Sequence, residues 1–147
     1  MGASPYWYFV DYQENVGDAL NALRQREFTA GRYNPVIPFP LFPVPANSPG
    51  PGPQHASAEE ALNSADADGT RSILDIFFIS DTAQLFAATP LGPEKLIELY
   101  GTATPSKKQV ERNMTFMDSV PRGHCVYFTV YKDGLPSEIF FGGYSFD

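Results

Sequence analysis

The sequence predicts an α+β domain: a mainly antiparallel sheet of three to five strands, with helices packed on one face. Aromatic and β-branched runs occur at both ends of the chain, and each is too apolar to stand alone. We therefore expect the two ends to pair in one sheet. Between them lie segments with helical periodicity and a long Pro-rich connection, residues 34–56, which we expect to pack across a side or edge of the sheet.

Length and composition indicate a folded, acidic protein. The 147 residues are the size of one domain, so we expect residues 1–147 to share one core, and 43% are hydrophobic. The net charge of -7 disfavours nucleic acid and anionic membranes as partners. The chain has no apolar run near the roughly 20 residues of a spanning helix, no leader sequence and one cysteine, Cys125. These features predict a cytoplasmic protein.

The first predicted elements are a strand and a helix. Residues 6–12 are rich in aromatics and alternate loosely, which predicts a strand with Trp7 and Phe9 on one face. A helix is expected to follow from the capping residue Asn15 to about residue 29, with Gly31 as its left-handed stop.

The Pro-rich connection is expected to be extended and partly ordered. Eight prolines between residues 35 and 53 exclude a helix or an interior strand and favour polyproline-like chain. Its first half carries Phe39, Phe42 and aliphatic residues, which solvated linkers lack, so we expect this half to lie against the core. Residues 47–53 are expected to form an exposed tip.

The middle of the chain predicts a short helix and a buried strand. Ser57 and Glu60 have capping-box spacing, which predicts a helix that ends before Gly69. The apolar run 73–79 predicts a buried strand, and a helix continuing to Ala88 is the alternative.

Two helices and a hairpin are predicted in the last third. Pro93 and Gly101 bracket a helix of about two turns. A further helix is expected to start at Thr104 and to end before Pro121. Asp133-Gly134 between two apolar runs predicts a hairpin with a two-residue loop.

The loop length predicts which hairpin residues face each other. A two-residue loop pairs Phe128 with Ile139 on the core face and Tyr127 with Phe140 on the opposite face. Pro136 then falls at a site without a ladder hydrogen bond to its hairpin partner, and its missing donor predicts a sheet edge there. A three-residue bulged turn would shift both faces.

The opposite face of the hairpin is a candidate binding surface. It is amphipathic, and a helix, the Pro-rich connection or a partner could cover it. Aromatic residues are enriched at the cores of interfaces, although packing beneath the Pro-rich connection is the alternative explanation. The candidate binding residues are Trp7, Phe39, Phe42, Tyr127, Tyr131 and Phe140.

Residues 64–75 have the oxygen spacing of a calcium loop that follows a helix. Two departures weaken the match: Ser64 stands where the first aspartate is expected, and Arg71 brings a positive charge to a cation site. The alternative is a polar turn in which Gly69 adopts positive φ and Arg71 pairs with an aspartate. The candidate metal ligands are Asp66, Asp68 and Asp75.

Familiar catalytic motifs are absent from the sequence. His124 and Cys125 are adjacent on a predicted strand and should point to opposite faces, so they cannot form a catalytic pair. The chain has no Gly-rich phosphate loop, nucleophile elbow or zinc-protease motif, and no cofactor is expected. A carboxylate site leaves no such signature, so an enzyme using carboxylates with His55 or Arg71 stays open.

Four segments carry a resemblance to other proteins. Residues 2–9, 54–61, 66–75 and 136–139 resemble a group of small uncharacterised bacterial proteins, and the likeness spans most of the chain. The group has no assigned activity, so the resemblance implies no function.

We therefore expect a non-catalytic binding or interaction module. The aromatic outer face and the Pro-rich connection are expected to contact a protein partner or a second copy of the chain, in a homodimer, rather than a small molecule. The alternatives are a small enzyme with a carboxylate and histidine site beside the Pro-rich connection, and a divalent-cation-binding protein using residues 66–75. A deep pocket with shifted pKa values would favour the enzyme.

Overall fold

A computed structural model describes residues 3–37 and 50–146 of the chain. Phe39 and Phe42 lie outside these residues. The predicted packing of the first half of the Pro-rich connection therefore stays a prediction. The strands and helices are β1 (Pro5–Asp11), α1 (Val16–Ala30), α2 (Ala58–Ala65), β2 (Phe78–Ile79), β3 (Ala87–Pro90), α3 (Pro93–Tyr100), α4 (Lys107–Arg112), β4 (Cys125–Lys132) and β5 (Leu135–Tyr144). Short 3-10 turns occupy Asp66–Asp68, Ile73–Asp75 and Thr115–Ser119.

The strands form one five-stranded sheet in the order β1-β5-β4-β3-β2. The pairing of β1 with β5 confirms that the two ends of the chain share a sheet. The sheet is mixed rather than mainly antiparallel: β1 and β4 are antiparallel to β5, whereas β3 is parallel to β4 and β2 is parallel to β3. The chain returns from β3 to β4 through α3 and α4, and such a crossover places the next strand parallel.

Apolar residues line both faces of the sheet, so the expectation of helices on one face is wrong. Neighbouring residues of a strand point to opposite faces, and they contribute to different hydrophobic clusters. One cluster joins Tyr6, Tyr8, Ile139 and Phe141 of the sheet to Ala19, Leu20 and Leu23 of α1. The other joins Phe128, Val130 and Phe140 to Leu96 of α3, Val110 of α4 and Phe116 and Met117 of the last 3-10 turn.

Helix α1 confirms the predicted caps. The Asn15 side chain accepts a hydrogen bond from the Asp18 backbone nitrogen at 3.1 Å. At the other end, Gly31 has φ 73°, and its N–H bonds to the carbonyls of Glu27 and Phe28. The helix begins and ends where local chemistry predicted.

The two short helices α2 and α3 also follow their predicted caps. The Ser57 hydroxyl accepts from the Glu60 backbone nitrogen at 3.2 Å, whereas the Glu60 carboxylate accepts from Ala56 rather than from Ser57. Pro93 lies in the first turn of α3, and Gly101 ends that helix with φ 74°.

The predicted strand 73–79 is wrong for most of its length. Residues 73–75 form a 3-10 turn, and only Phe78–Ile79 pairs in the sheet. The alternative helix to Ala88 is also wrong, because Ala87–Pro90 is strand β3. The Asp75 carboxylate accepts hydrogen bonds from Thr70, which folds the segment back on itself while Ile73, Leu74 and Ile76 stay buried.

The helix predicted between residues 104 and 120 divides into two pieces. Ser106, not Thr104, caps α4 through a reciprocal capping box with Gln109. Helix α4 ends at Arg112, and a separate 3-10 turn covers Thr115–Ser119. The Asn113 side chain accepts from the backbone nitrogen of Thr115 at 3.1 Å, which favours a new turn over continuation of the helix.

The hairpin has the predicted two-residue turn. Lys132 pairs with Leu135 and Tyr131 with Pro136, and Asp133 and Gly134 have φ 54° and 79°. Beyond them Ser137 has no partner on β4, because Val130 pairs with Glu138. This β-bulge shifts the register by one residue.

The bulge overturns the predicted faces of the hairpin. Phe128 pairs with Phe140 rather than Ile139, and Tyr127 pairs with Phe141 rather than Phe140. Phe140 therefore lies on the same face as Phe128, in the core that was assigned to Ile139.

Strand β5 is central in the sheet, so the edge prediction is correct only near its start. The pairing of β1 with β5 ends at Asp11 and Glu138, so Pro136 lies beyond the last ladder pair. No helix within ranges 3–37 and 50–146 combines the length and apolar character needed to cross a membrane.

Candidate functional site

The aromatic residues predicted to form one binding surface are divided between the two faces of the sheet. Phe140 is fully buried and stacks on Phe128, with ring centroids 5.0 Å apart. Trp7 is partly buried against the same cluster. Tyr127 is partly buried in the opposite cluster, with its ring centroid 5.9 Å from that of Phe141.

Tyr131 lies apart from these residues. It is half-buried in a polar groove near the hairpin, beside Lys107, Lys108 and Lys132. The predicted binding residues among those the structure describes therefore do not form a common exposed surface.

The predicted calcium ligands are also separated by burial. Asp75 is fully buried, whereas Asp66 and Asp68 are exposed. Gly69 has φ 72°, and the Arg71 guanidinium lies 4.0 Å from the Asp68 carboxylate, as in the polar-turn alternative. In the described parts of the chain no group of three or more His, Cys, Asp and Glu side chains could hold a metal ion. The calcium site stays a prediction.

A cavity of about 400 Å³ lies beside this turn. Its walls come from α2, the 66–69 turn, the segment before β3 and the C-terminal segment. The lining residues are Leu62, Asn63, Asp66, Ala67, Gly69, Asp75, Phe86 and Phe146. We refer to it below as the Asp75 cavity.

The two oxygens of the Asp75 carboxylate have different surroundings. Oδ1 accepts hydrogen bonds from the Thr70 backbone nitrogen and from the Thr70 hydroxyl, each at 2.8 Å. Oδ2 is buried and has no hydrogen-bond partner among the described residues. A methyl group on Gly69 would lie 2.7 Å from Oδ2, so a glycine is required beside this oxygen.

Burial raises the pKa of Asp75 from 3.8 to about 6. The hydrogen bonds from Thr70 and the charge of Arg24 lower this pKa, but they do not offset the loss of hydration. The Arg24 guanidinium donates to the Leu74 carbonyl at 3.2 Å and lies 5.3 Å from the centre of the Phe77 ring. It therefore does not neutralise the carboxylate by direct contact.

Unfavourable backbone conformations occur at two residues of the cavity wall, Asp66 and Phe86, and at Arg71 in the adjoining turn. Asp66, Arg71 and Phe86 have φ of 55°, 52° and 66°, and the only other such non-glycine residue in the described ranges is Asp133 of the hairpin turn. Hydrogen bonds hold Phe86 in place: its N–H donates to the Gly123 carbonyl at 2.9 Å, and its carbonyl accepts from Phe77 at 2.8 Å. Strain of this kind is frequent at functional sites.

Sequence reasoning identified only part of this site. Asp75 and Asp66 were singled out as metal ligands, whereas Leu62, Phe86 and Phe146 were missed. These three residues are far apart in sequence and carry no common motif. Because residues 73–79 were predicted to form a strand, the turn that buries Asp75 was not predicted.

His55 and Arg71, the partners expected in the enzyme alternative, do not line the cavity. The Nδ1 atom of His55 lies 2.8 Å from the Tyr33 hydroxyl, in a hydrogen bond. Arg71 donates to the Asn34 side chain at 3.4 Å.

The adjacent residues His124 and Cys125 have different surroundings. Cys125 is buried in the cluster beneath α1, and burial raises the pKa of its thiol. The Nδ1 atom of His124 lies 3.0 Å from the Arg122 carbonyl, in a hydrogen bond outside that cluster. A buried, protonated thiol is inert as a nucleophile.

No known protein family, curated protein or solved structure matches the chain significantly. Its function therefore has to follow from the chemistry of the site itself.

Proposed function

We propose that the chain is a non-catalytic binding protein whose ligand is a small molecule held in the Asp75 cavity. The observation that carries this proposal is the buried Oδ2 atom of Asp75, a residue of the cavity wall, because this atom has no hydrogen-bond partner in the part of the chain that the structure describes. An unpaired buried polar atom costs about 1–3 kcal/mol, and more if it is charged, so a ligand that donates to it gains that energy. A cavity of about 400 Å³ accommodates a small organic molecule.

The composition of the cavity walls favours binding over chemistry. Leu62, Ala67, Phe86 and Phe146 supply apolar contact, and the polar side chains are Asn63 and two aspartates. The described lining residues include no Ser, Cys, His or Lys, so their only acid-base groups are the carboxylates of Asp66 and Asp75.

The proposal is tested by amide NMR spectra of the full chain with a fragment set of positive, negative and neutral molecules. We expect hits that shift the amides of Asn63, Gly69 and Phe146 and that no longer bind to the variant Ala67→Phe, because the ring fills the cavity mouth. Ala83→Phe is the matched control, since Ala83 is exposed outside the cavity. The absence of any hit at these amides, or equal binding by Ala67→Phe, would overturn the proposal.

A small enzyme is the second candidate, and one observation favours it. An Asp75 pKa of about 6 suits a general acid or base at neutral pH. The fragment hits distinguish this function: incubation with the wild-type chain would convert at least one hit chemically, and Asp75→Asn would not. Hits that remain unchanged over hours support binding alone.

Exposed apolar side chains also favour binding to a protein partner or to a second copy of the chain. Phe77, Phe78 and Leu85, near the short edge strand β2, are 41%, 42% and 48% exposed. The molar mass from light scattering tests the homodimer. A mass of one chain contradicts it, whereas a mass of two chains that decreases to that of one chain in Phe78→Ser supports it.

A further inference from the structure

We infer that the ligand of the Asp75 cavity is a small organic cation, a protonated amine attached to a short apolar body. This inference rests on the binding function proposed above and names its ligand class. It follows from the charges at the cavity wall, from the hydrogen-bonding capacity of Asp75 and from the apolar residues around it.

The charged side chains that the structure describes at the cavity wall are all negative. Asp66 and Asp75 both line the cavity, and no described Lys, Arg or His does. Arg24 of α1, whose charge acts on Asp75, donates to the Leu74 carbonyl instead. An anionic ligand would add a third negative charge in a partly desolvated space, which is strongly unfavourable.

The unpaired oxygen selects a charged donor. An ionised carboxylate only accepts hydrogen bonds, so the ligand has to supply an N–H or O–H group to Oδ2. A neutral donor would satisfy the hydrogen bond but would leave the buried charge uncompensated. An ammonium group supplies both the donor and the opposite charge, and such charge-assisted bonds are roughly twice as strong as neutral ones.

The rest of the wall suits an organic cation better than a metal ion. The ring centroids of Phe86 and Phe146 lie 5.5 Å apart, with a tilt of 54° between the planes. Aromatic rings attract cations over their faces and also bury apolar surface. Calcium requires about six to eight oxygen ligands, whereas the lining side chains supply only the carboxylates of Asp66 and Asp75 and the amide of Asn63.

Three molecules of similar size test the inference: benzylamine, benzyl alcohol and benzoate, each titrated into the full chain at pH 7.5 by calorimetry and amide NMR. We expect benzylamine to bind at least tenfold more tightly than benzyl alcohol and benzoate to show no binding. Asp75→Asn should reduce benzylamine affinity to that of the alcohol. The control Asp18→Asn removes an exposed carboxylate of α1 and should change nothing.

Binding should also depend on pH in one direction. The charged or titratable groups facing Asp75 are Arg24 from α1 and Tyr6 and Tyr8 from β1, while Asp66 shares the cavity wall. Burial raises the pKa values of both tyrosines, so they stay neutral, and Arg24 stays charged. With an Asp75 pKa of about 6, benzylamine affinity should fall about tenfold from pH 7.5 to pH 5 as the carboxylate protonates.

The outcomes separate this inference from the proposed function. Equal or tighter binding of benzyl alcohol or benzoate at the cavity amides overturns the amine and leaves the binding function standing. Failure of every fragment at these amides overturns both. Calcium chloride that shifts the same amides and displaces benzylamine overturns the organic cation in favour of a metal. If Asp75→Asn does not fold, the wild-type chain provides the test. The NMR signal of the Asp75 side-chain carboxyl carbon must then change its chemical shift when benzylamine binds, and an unchanged signal refutes the contact.

Discussion

Thr70 donates two hydrogen bonds to a single oxygen of Asp75, one from its backbone nitrogen and one from its hydroxyl, each at 2.8 Å. The second oxygen of the same carboxylate is buried and has no hydrogen-bond partner in residues 3–37 and 50–146, and Asp75 is part of the cavity wall. Oδ1 therefore closes the turn between residues 70 and 75, and Oδ2 is the atom that we propose contacts a ligand. The predictions below separate these roles.

Asp75→Asn should stabilise the protein at pH 8 and have little effect at pH 4. The folded pKa of about 6 lies above the ordinary 3.8, so the stabilising contribution of Asp75 is full below the ordinary value and is lost as pH rises through 6. A difference of this size corresponds to roughly 3 kcal/mol. The asparagine stays neutral and keeps an acceptor for Thr70, so the variant avoids the cost of a buried charge. Burying the N–H₂ group has its own cost, so the variant gains only part of that energy. We expect the free energy of unfolding to rise by roughly 1–2 kcal/mol at pH 8.

Urea unfolding at the two pH values measures this effect. Asp18→Asn is again the control, since Asp18 is exposed in the first turn of α1. A variant that is less stable than wild type at both pH values would show that Asp75 is a purely structural residue. A more stable variant that has lost its ligand would show that the buried charge is retained for binding.

Thr70→Val should raise the pKa of Asp75 further. The substitution keeps the backbone donor and the branched shape of the side chain but removes the hydroxyl, whose hydrogen bond favours the ionised carboxylate. A carbon-detected NMR titration of the Asp75 carboxyl group gives the pKa directly. Thr129→Val on β4 is the control. An unchanged or lower pKa would mean that the hydroxyl does not stabilise the charge.

Some of this fold was predictable because its determinants are adjacent in sequence. Asn15 and Gly31 define the ends of α1 through hydrogen bonds made within a few residues. Asp133-Gly134 defines the hairpin turn in the same way, because both residues adopt positive φ. The bulge at Ser137 has no such local signal, and it reverses the face on which Phe140 lies.

The cavity was not predictable for a related reason. Leu62, Asp75 and Phe146 come from distant parts of the sequence and meet only in the folded chain, and nothing in their immediate sequence neighbours indicates a shared site. The spacing of aspartates drew attention to Asp75, but as one of several equivalent ligands. Its isolation from Asp68 results from burial in the 73–75 turn, where apolar neighbours had predicted a strand.

Arg32→Met should destabilise the protein strongly, because the buried Glu27 carboxylate loses the guanidinium that neutralises its charge. Glu27 is fully buried and accepts from Arg32 Nη2 at 2.6 Å and Nε at 2.9 Å, with Arg26 as its other ionic partner. Loss of one partner from a buried ion pair typically removes about 3–5 kcal/mol, and the remaining Arg26 contact places our expectation near the lower value.

The double variant Glu27→Leu with Arg32→Met should recover much of this loss, because both charges are gone and apolar side chains fill the space. Urea unfolding of the wild type, both single variants and the double variant forms the cycle. Lys95→Met is the control, since its ion pair with Glu98 is exposed and should contribute less than about 1 kcal/mol. Additive losses in the cycle would contradict the coupling of Glu27 and Arg32.

Gly143→Ala should destabilise the sheet where the two ends of the chain meet. Gly143 pairs with Tyr6 of β1 on one side and with Cys125 of β4 on the other. An added methyl group would lie 2.3 Å from the His124 carbonyl oxygen and 2.7 Å from the Tyr6 hydroxyl. The carbonyl belongs to a paired backbone and cannot move away without separating the strands. We expect a loss of roughly 3 kcal/mol or more in the free energy of unfolding.

Thermal unfolding and amide hydrogen exchange measure the effect of Gly143→Ala, and faster exchange should concentrate in β1, β4 and β5. Gly92→Ala provides the comparison, because a methyl group there meets no atom within 4 Å and the backbone is extended. Because Gly92 is the N-cap of α3, where glycine is preferred over alanine, Gly92→Ala should cost about 1 kcal/mol or less. Equal melting temperatures for the two variants would contradict this prediction. They would mean that β4 and β5 are less tightly packed at Gly143 than the backbone distances indicate, because the sheet would then accommodate the extra methyl group without cost.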